Sequence, residues 1–210
     1  MVYLRNMKNG GKIDKNAKNI LYTGYGDKGT TTLFGCKQER ISKSANIVEA
    51  LGTVDELNAY LGVVKVHSDM DKLAVEIDSK KILYSDIIEE IQQVLFIIQA
   101  ELAGSDMTVG KKSVEELEEI IHQISDLLPP IISFTISGGS LASAELDVAR
   151  TLARRAERRI VSVFDEKIRI IGIETIAYMN RLSSILFALS RYSNHLFSIT
   201  EDHPTYLNNK

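Results

Sequence analysis

Apolar side chains recur at three- and four-residue steps through most of this chain, the signature of helices that turn one face to a core. From Ile47 to about Val66 the stripe is Val48, Leu51, Val54, Leu57, Leu61 and Val64, with Ser44 or Asn46 placed to cap its start. A second stripe runs from about Lys81 to Gly104 through Leu83, Ile87, Ile91, Val94, Leu95, Ile98 and Leu102, and Gly104 is its stop signal. Ser113 and Glu116 have the spacing of a capping box, opening a third helix through Leu117, Ile120, Ile121, Ile124 and Leu128 that ends at Pro129-Pro130. A fourth spans about Ser140 to Glu166. The fifth, from about Ile173 to Phe197, turns Ile176, Met179 or Asn180, Leu186, Leu189 and Leu196 inward.

Two stretches break the helical period. Residues 20–43 hold Gly24, Gly26, Gly29, Gly35 and four threonines, which predicts an ordered glycine-rich loop with a short strand. Ile131 to Ile136 is short, β-branched and followed by Gly138-Gly139, an extended connection rather than more helix. Long helices, short connections and no convincing strand pairs predict an all-α, five-helix up-and-down bundle.

Composition narrows the setting. A chain of 210 residues with 44% hydrophobic content supports one core, read as a single domain over 20–200 between a disordered basic tail (1–19) and a C-terminal tail (201–210). The net charge of −3 argues against a general nucleic-acid binder, whose basic surface would be broad. Without an apolar run of membrane-spanning length, a soluble protein is expected. Cys36 is the only cysteine, which excludes an intrachain disulfide and fits a reducing, cytoplasmic setting.

The chemistry concentrates at Arg150-Thr-Leu-Ala-Arg154-Arg155-Ala-Glu157-Arg158-Arg159, five arginines and one glutamate in ten residues. Arg150, Arg154 and Arg158 stack on one helical face, with Glu157 a turn from Arg154. Like charges so spaced repel, and either a polyanion or carboxylates such as Asp55, Glu56 and Asp147 must offset them. The loop Thr23-Gly24-Tyr25-Gly26-Asp27-Lys28-Gly29 supplies backbone amides and a lysine suited to phosphate, or is a plain surface turn. It is not a Walker A loop, because Thr30 follows Gly29 where that motif needs lysine. Asn180 reads as a buried amide that needs partners. Glu119-Ile-Ile-His122 matches one unit of a di-iron motif, but a second is absent, so no protein metal site is expected.

The blocks YTGYGDKGTTTLFG, ISKSANIVEALGTVDELNAYLG, FTISGGS, ARTLARRAERR and NRLSSILFALSRYSN together resemble the PduO-type ATP:cob(I)alamin adenosyltransferases, over about residues 20–197. The resemblance implies a five-helix bundle assembled as a homotrimer, with ATP and cobalamin bound where subunits meet. The implied reaction is transfer of the 5′-deoxyadenosyl group of ATP to Co(I), releasing triphosphate, with Mg2+ carried on the phosphates. It assigns Thr23 to Gly29, Lys28 and Lys43, with Arg154, Arg155, Glu157, Arg158 and Asn180, to the nucleotide. Phe134 falls to the lower face of cobalt, and Arg150 with Asp55 to an ion pair between subunits. Expected partners are a flavin-dependent reductase and an adenosylcobalamin-dependent client enzyme. Gly24, Ile47, Ser137 and Ser184 depart from the commoner family residues, each removing a charge or a rigid turn. Those departures keep open a nucleotide- or corrinoid-binding carrier or sensor without turnover, and a purely structural helical oligomer, in which the arginines serve only subunit salt bridges, is a third reading.

Overall fold

The computed structural model describes residues 22, 24–34, 39–77 and 80–206, together with the short paired strands β1 (Met7–Lys8) and β2 (Lys12–Ile13). Thr23, Cys36 and most of the basic tail lie outside the described residues. The strands β3 (Thr30–Thr31) and β4 (Ile41–Ser42) pair antiparallel and lead into α1 (Asn46–Met70). A hairpin of β5 (Ala74–Ile77) and β6 (Lys80–Leu83) follows, then α2 (Tyr84–Ala103), α3 (Lys111–Asp126), α4 (Leu141–Asp165) and α5 (Ile173–Leu196).

α4 is the central helix, packed between α1 and α5, while α2 lies against α1 and α3 against α5. Its sequence explains the position. Ala149, Ala153 and Ala156 are fully buried at three- and four-residue steps, and such small side chains let neighbouring helices come close. The arginines fall between them, off the buried stripe. Leu57, Leu61, Ile91, Leu95, Leu146, Ile160 and Met179 fill the rest of the core, and truncating any one to alanine would cost about 2–5 kcal/mol.

Several local expectations need correction. The third helix starts at Lys111 with extended Gly110 as its cap, so Ser113 lies inside the first turn and the capping box does not form. The pairs Lys111–Glu115 (2.8 Å) and Lys112–Glu116 (3.1 Å) support that earlier start. Neither Ser44 nor Asn46 caps α1. Ala45 holds that position, and the Asn46 amide donates instead to the Glu166 carboxylate at 2.8 and 2.9 Å, tying the start of α1 to the end of α4. The β5–β6 hairpin replaces the predicted first turn of the second helix, because Leu73, Val75 and Ile77 bury their side chains from an extended backbone. Ser140 does cap α4, accepting a hydrogen bond from the Ser143 amide at 3.1 Å.

Glu101, 5% exposed, closes one end of the bundle. Its carboxylate accepts from Thr108 Oγ1 (2.8 Å), the Gly172 amide (2.8 Å) and Thr175 Oγ1 (2.6 Å), joining α2 to the α4–α5 connection. Glu101→Ala strands those donors, and we expect thermal or denaturant unfolding to record a loss of about 3 kcal/mol.

Candidate functional site

A cleft of about 510 Å³ opens between the end of α3, the connection before α4, and the facing sides of α4 and α5. Phe134, Asp147, Arg150, Arg154, Ser184 and Phe187 are among the residues that line it. It therefore gathers side chains that lie far apart in sequence. Phe134 is 78% exposed and stands beside Ile131, Ile132 and Ile136, all exposed. An apolar run left in solvent argues for an apolar ligand or a second copy of the chain over it. The glycines behind it are structural: Gly139 has φ +101°, and a side chain there would meet Asn194 Oδ1 at 2.4 Å. The Asn194 amide in turn accepts from the Ser140 amide (2.9 Å) and donates to the Gly138 carbonyl (3.0 Å).

The arginines divide into paired and free. Arg150 donates through Nε to Asp147 Oδ1 at 3.0 Å, and its guanidinium lies 5.8 Å from the Phe187 ring centroid, within cation–π range. Arg155 pairs with Glu56, and Arg159 lies 3.7 Å from Glu49. Among the described residues, Arg154 and Arg158 form no ion pair, although both are exposed on the same helix. Interhelical carboxylates thus account for some of the cluster and leave two guanidiniums without a counter-charge. Arg154 reaches into the cleft, and Arg158 lies one turn further along, about 6 Å away.

Asn180 is exposed rather than buried; Met179 takes the core position. The amide of Asn180 donates to Glu157 Oε1 at 3.0 Å, and its oxygen accepts from Arg181 Nη1 at 2.8 Å. Arg181 is held by Glu118 at 2.7 Å. Asp55 is exposed on the α2 side of α1, where it accepts from Gln99 Nε2 at 3.3 Å, and within one protomer it does not pair with Arg150. His122 is exposed.

The glycine-rich strap is a tight hairpin apart from the cleft. Gly24 and Gly29 have φ of +68° and +70°, and the amides of Asp27 and Gly29 close turns onto Gly24 and Gly26 at 3.2 and 3.1 Å. Lys43 packs its ammonium against Gly26, whose notional Cβ would lie 2.8 Å from Nζ. Asp27 and Lys28 are exposed, and Tyr25 points outward at 61% exposure. Arg40 is the residue that sequence reasoning missed: its Nε donates to Thr30 Oγ1 (2.8 Å) and its Nη2 to the carbonyls of Thr30 (2.8 Å) and Tyr25. Carbonyls leave no trace in a sequence, so no signal pointed to it. Phe187 was hidden likewise, inside an apolar helical run. No described residue of the strap lines the cleft.

Residues 21–193 match the cobalamin adenosyltransferase family. A corrinoid adenosyltransferase of Citrobacter freundii is 36% identical over 81% of this chain and 93% of its own length. A corrinoid adenosyltransferase PduO from the same organism is 36% identical over 90% of this chain, which spans only 52% of that longer protein. Among solved structures, a phenylalanine-to-histidine variant of the PduO-type ATP:corrinoid adenosyltransferase from Lactobacillus reuteri, complexed with cobalamin and ATP, superposes with a TM-score of 0.77. It is 31% identical, over 89% of this chain and 97% of that one.

Proposed function

The chain belongs to the cobalamin adenosyltransferase family, and we propose that it transfers the 5′-deoxyadenosyl group of ATP to Co(I) of cobalamin, yielding adenosylcobalamin and triphosphate. The Co(I) electron pair forms the bond to C5′, the C5′–O bond breaks, and its electron pair leaves with the triphosphate. No side chain has to remove a proton. What the protein must supply is alignment of C5′ with cobalt and cations where the leaving group gathers charge.

The observation that carries this reading is Arg154, a guanidinium without a carboxylate in the same cleft as Phe134. A corrinoid seated over Phe134 puts its upper face toward Arg150 and Arg154, and phosphates laid along α4 toward Arg158 move away from cobalt. Glu157 and Asn180, already bonded at 3.0 Å, suit the polar edge of the nucleoside. None of the described residues of the glycine-rich strap, Lys28 among them, nor Lys43, lines this cleft, so we assign its amides to a neighbour's site. A homotrimer with sites between subunits supplies that arrangement, and the same contact would bring Asp55 to a neighbour's Arg150. The surface is consistent with burial there: Val63, Val66 and Met70 of α1 are exposed. Magnesium would ride on the phosphates. Among the described residues no three His, Cys, Asp or Glu side chains converge, so phosphate oxygens and water would supply its ligands. No helix among the described residues is long and apolar enough to cross a membrane.

Purified protein given ATP, magnesium and chemically reduced cobalamin is expected to form adenosylcobalamin and triphosphate in equal amounts. No product at saturating substrates would end the proposal. A carrier or sensor remains the second reading, because Ser137 and Ser184, two of the departures from the family pattern, both line the cleft. Tight binding of both substrates without transfer would favour it.

A further inference from the structure

The segment that bears Phe134 is held in place from an unexpected direction. Among the described residues, the backbone groups of residues 131–137 hydrogen-bond to no other element except the end of the chain. The Ile136 amide donates to the Asp202 carbonyl at 2.8 Å, and His203 Nδ1 lies 2.9 Å from the Phe134 carbonyl and 2.8 Å from Ser133 Oγ. A carbonyl only accepts, so Nδ1 carries the hydrogen, which the neutral ring can supply. The contacts fall on both sides of Phe134. They restrain the backbone that carries its side chain without touching the ring.

The end of the chain is itself anchored. Arg191 on α5 grips Glu201 with two parallel bonds, Nε to Oε1 at 2.9 Å and Nη2 to Oε2 at 3.0 Å, and also donates to the Pro129 carbonyl at 3.1 Å. Its side chain is only 9% exposed, where a bidentate pair is shielded from competing water. Arg191 lines the main cleft and also a second cavity of about 270 Å³ on the far side of the Phe134 segment. One buried guanidinium thus joins the start of the connection and the segment around Glu201 to a core helix.

We propose that residues 201–203 are a positioning strap for the reaction: Glu201 docks on Arg191, and Asp202 and His203 set the Phe134 segment against the corrinoid. This rests on the adenosyltransferase reading. A freely hinged Phe134 could not exclude a ligand from the lower face of cobalt, because a misplacement of about 1 Å undoes alignment at a reacting centre. His203 and Asp202 are positioning residues; they touch Phe134 and its neighbours, not the substrates.

The test compares the full chain with a chain stopped after Thr200, and with His203→Ala and His203→Asn, in which the Asn amide can replace the Nδ1 donor. Stopping the chain should lower kcat/KM for cobalamin roughly 10- to 100-fold, and His203→Ala roughly 3- to 10-fold, the range of one to two lost hydrogen bonds. KM for ATP should stay within about 2-fold, since among the described residues Glu201 pairs with Arg191 of α5 and not with an arginine of α4. With Co(II) cobalamin and ATP, the spectrum of the ligand-free lower face should weaken in both, and His203→Asn should restore it. Equal spectra and equal kinetics for the full and shortened chains would overturn the proposal, as would identical behaviour of His203→Ala and His203→Asn. Should the shortened chain fail to fold, the single substitutions decide. Should the full chain form no adenosylcobalamin, the enzyme assignment fails by itself. Amide hydrogen exchange at residues 133–137 then tests the strap, and exchange that His203→Ala does not accelerate refutes it.

Discussion

Phe134→Ala should bind ATP as the parent does and adenosylate cobalamin about 100-fold more slowly when the cobalt starts as Co(II), a rise in the barrier of about 2.7 kcal/mol. The phenyl ring is 78% exposed, so its removal costs the fold almost none of its buried contacts, and melting temperature should not move. Neither Arg158 nor any described residue of the glycine-rich loop lines the cleft with it. What it can do is occupy the apolar side of the cleft below a corrinoid, where a donor ligand would otherwise sit. A donor on that axis raises the orbital that the incoming electron must fill, and axial ligation is a principal control on such potentials. Cobalamin reduced to Co(I) beforehand should therefore react with the variant at nearly the parent rate. Steady-state rates from the two starting oxidation states, measured side by side, give the contrast. Equal activity from Co(II) would remove Phe134 from the mechanism.

The helices were legible because their signals are local. The buried alanines of α4 repeat at helical spacing, its cap is a serine bonded three residues on, and the proline pair forces an end to α3. Those features depend on neighbours in sequence, which a reader of sequence can see. The errors arose where a distant group decided the outcome. Asn46 has the chemistry of a cap but gives its amide to Glu166, across 120 residues. Asn180 lies in an apolar stretch, yet its neighbour Met179 takes the core position, and one step along a helix turns a side chain by about 100°. The hairpin from Ala74 to Leu83 has no sequence signal of its own, because two four-residue strands carry too short an alternation to compete with the helical period that begins near Lys81.

The site shows the same division. The arginine cluster and the glycine loop were conspicuous because charge and glycine density need no fold to be noticed. Which arginines remain free was not legible, since it depends on Glu56 and Glu49 facing Arg155 and Arg159 across a helix interface. Arg40 and His203 were invisible for a common reason: each acts on carbonyl oxygens, which every residue has. The separation of strap and cleft within one protomer was likewise beyond sequence patterning, and the resemblance alone supplied the expectation of sites between subunits.

Arg154→Ala should weaken ATP binding about 10- to 100-fold, the worth of one or two charge-assisted hydrogen bonds to phosphate, while cobalamin affinity changes by less than about 2-fold. The unliganded protein should melt where the parent does, because Arg154 has no carboxylate to abandon and loses no buried contact. Arg155→Ala makes the control. It removes the pair with Glu56, both partners about half exposed, and such pairs contribute little to stability. Calorimetric titration with ATP, repeated at rising salt, separates the roles: the parent should lose affinity as salt screens the phosphate contact, and Arg154→Ala should lose less. If the arginines served only to hold helices or subunits together, the pattern would invert. Arg154→Ala would then disturb assembly and melting, and ATP would stabilise neither protein. A guanidinium with no ion-pair partner among the described residues, facing the same cleft as Phe134, is hard to reconcile with that alternative. It sits among like charges that repel it, and gains a counter-ion only when something anionic enters.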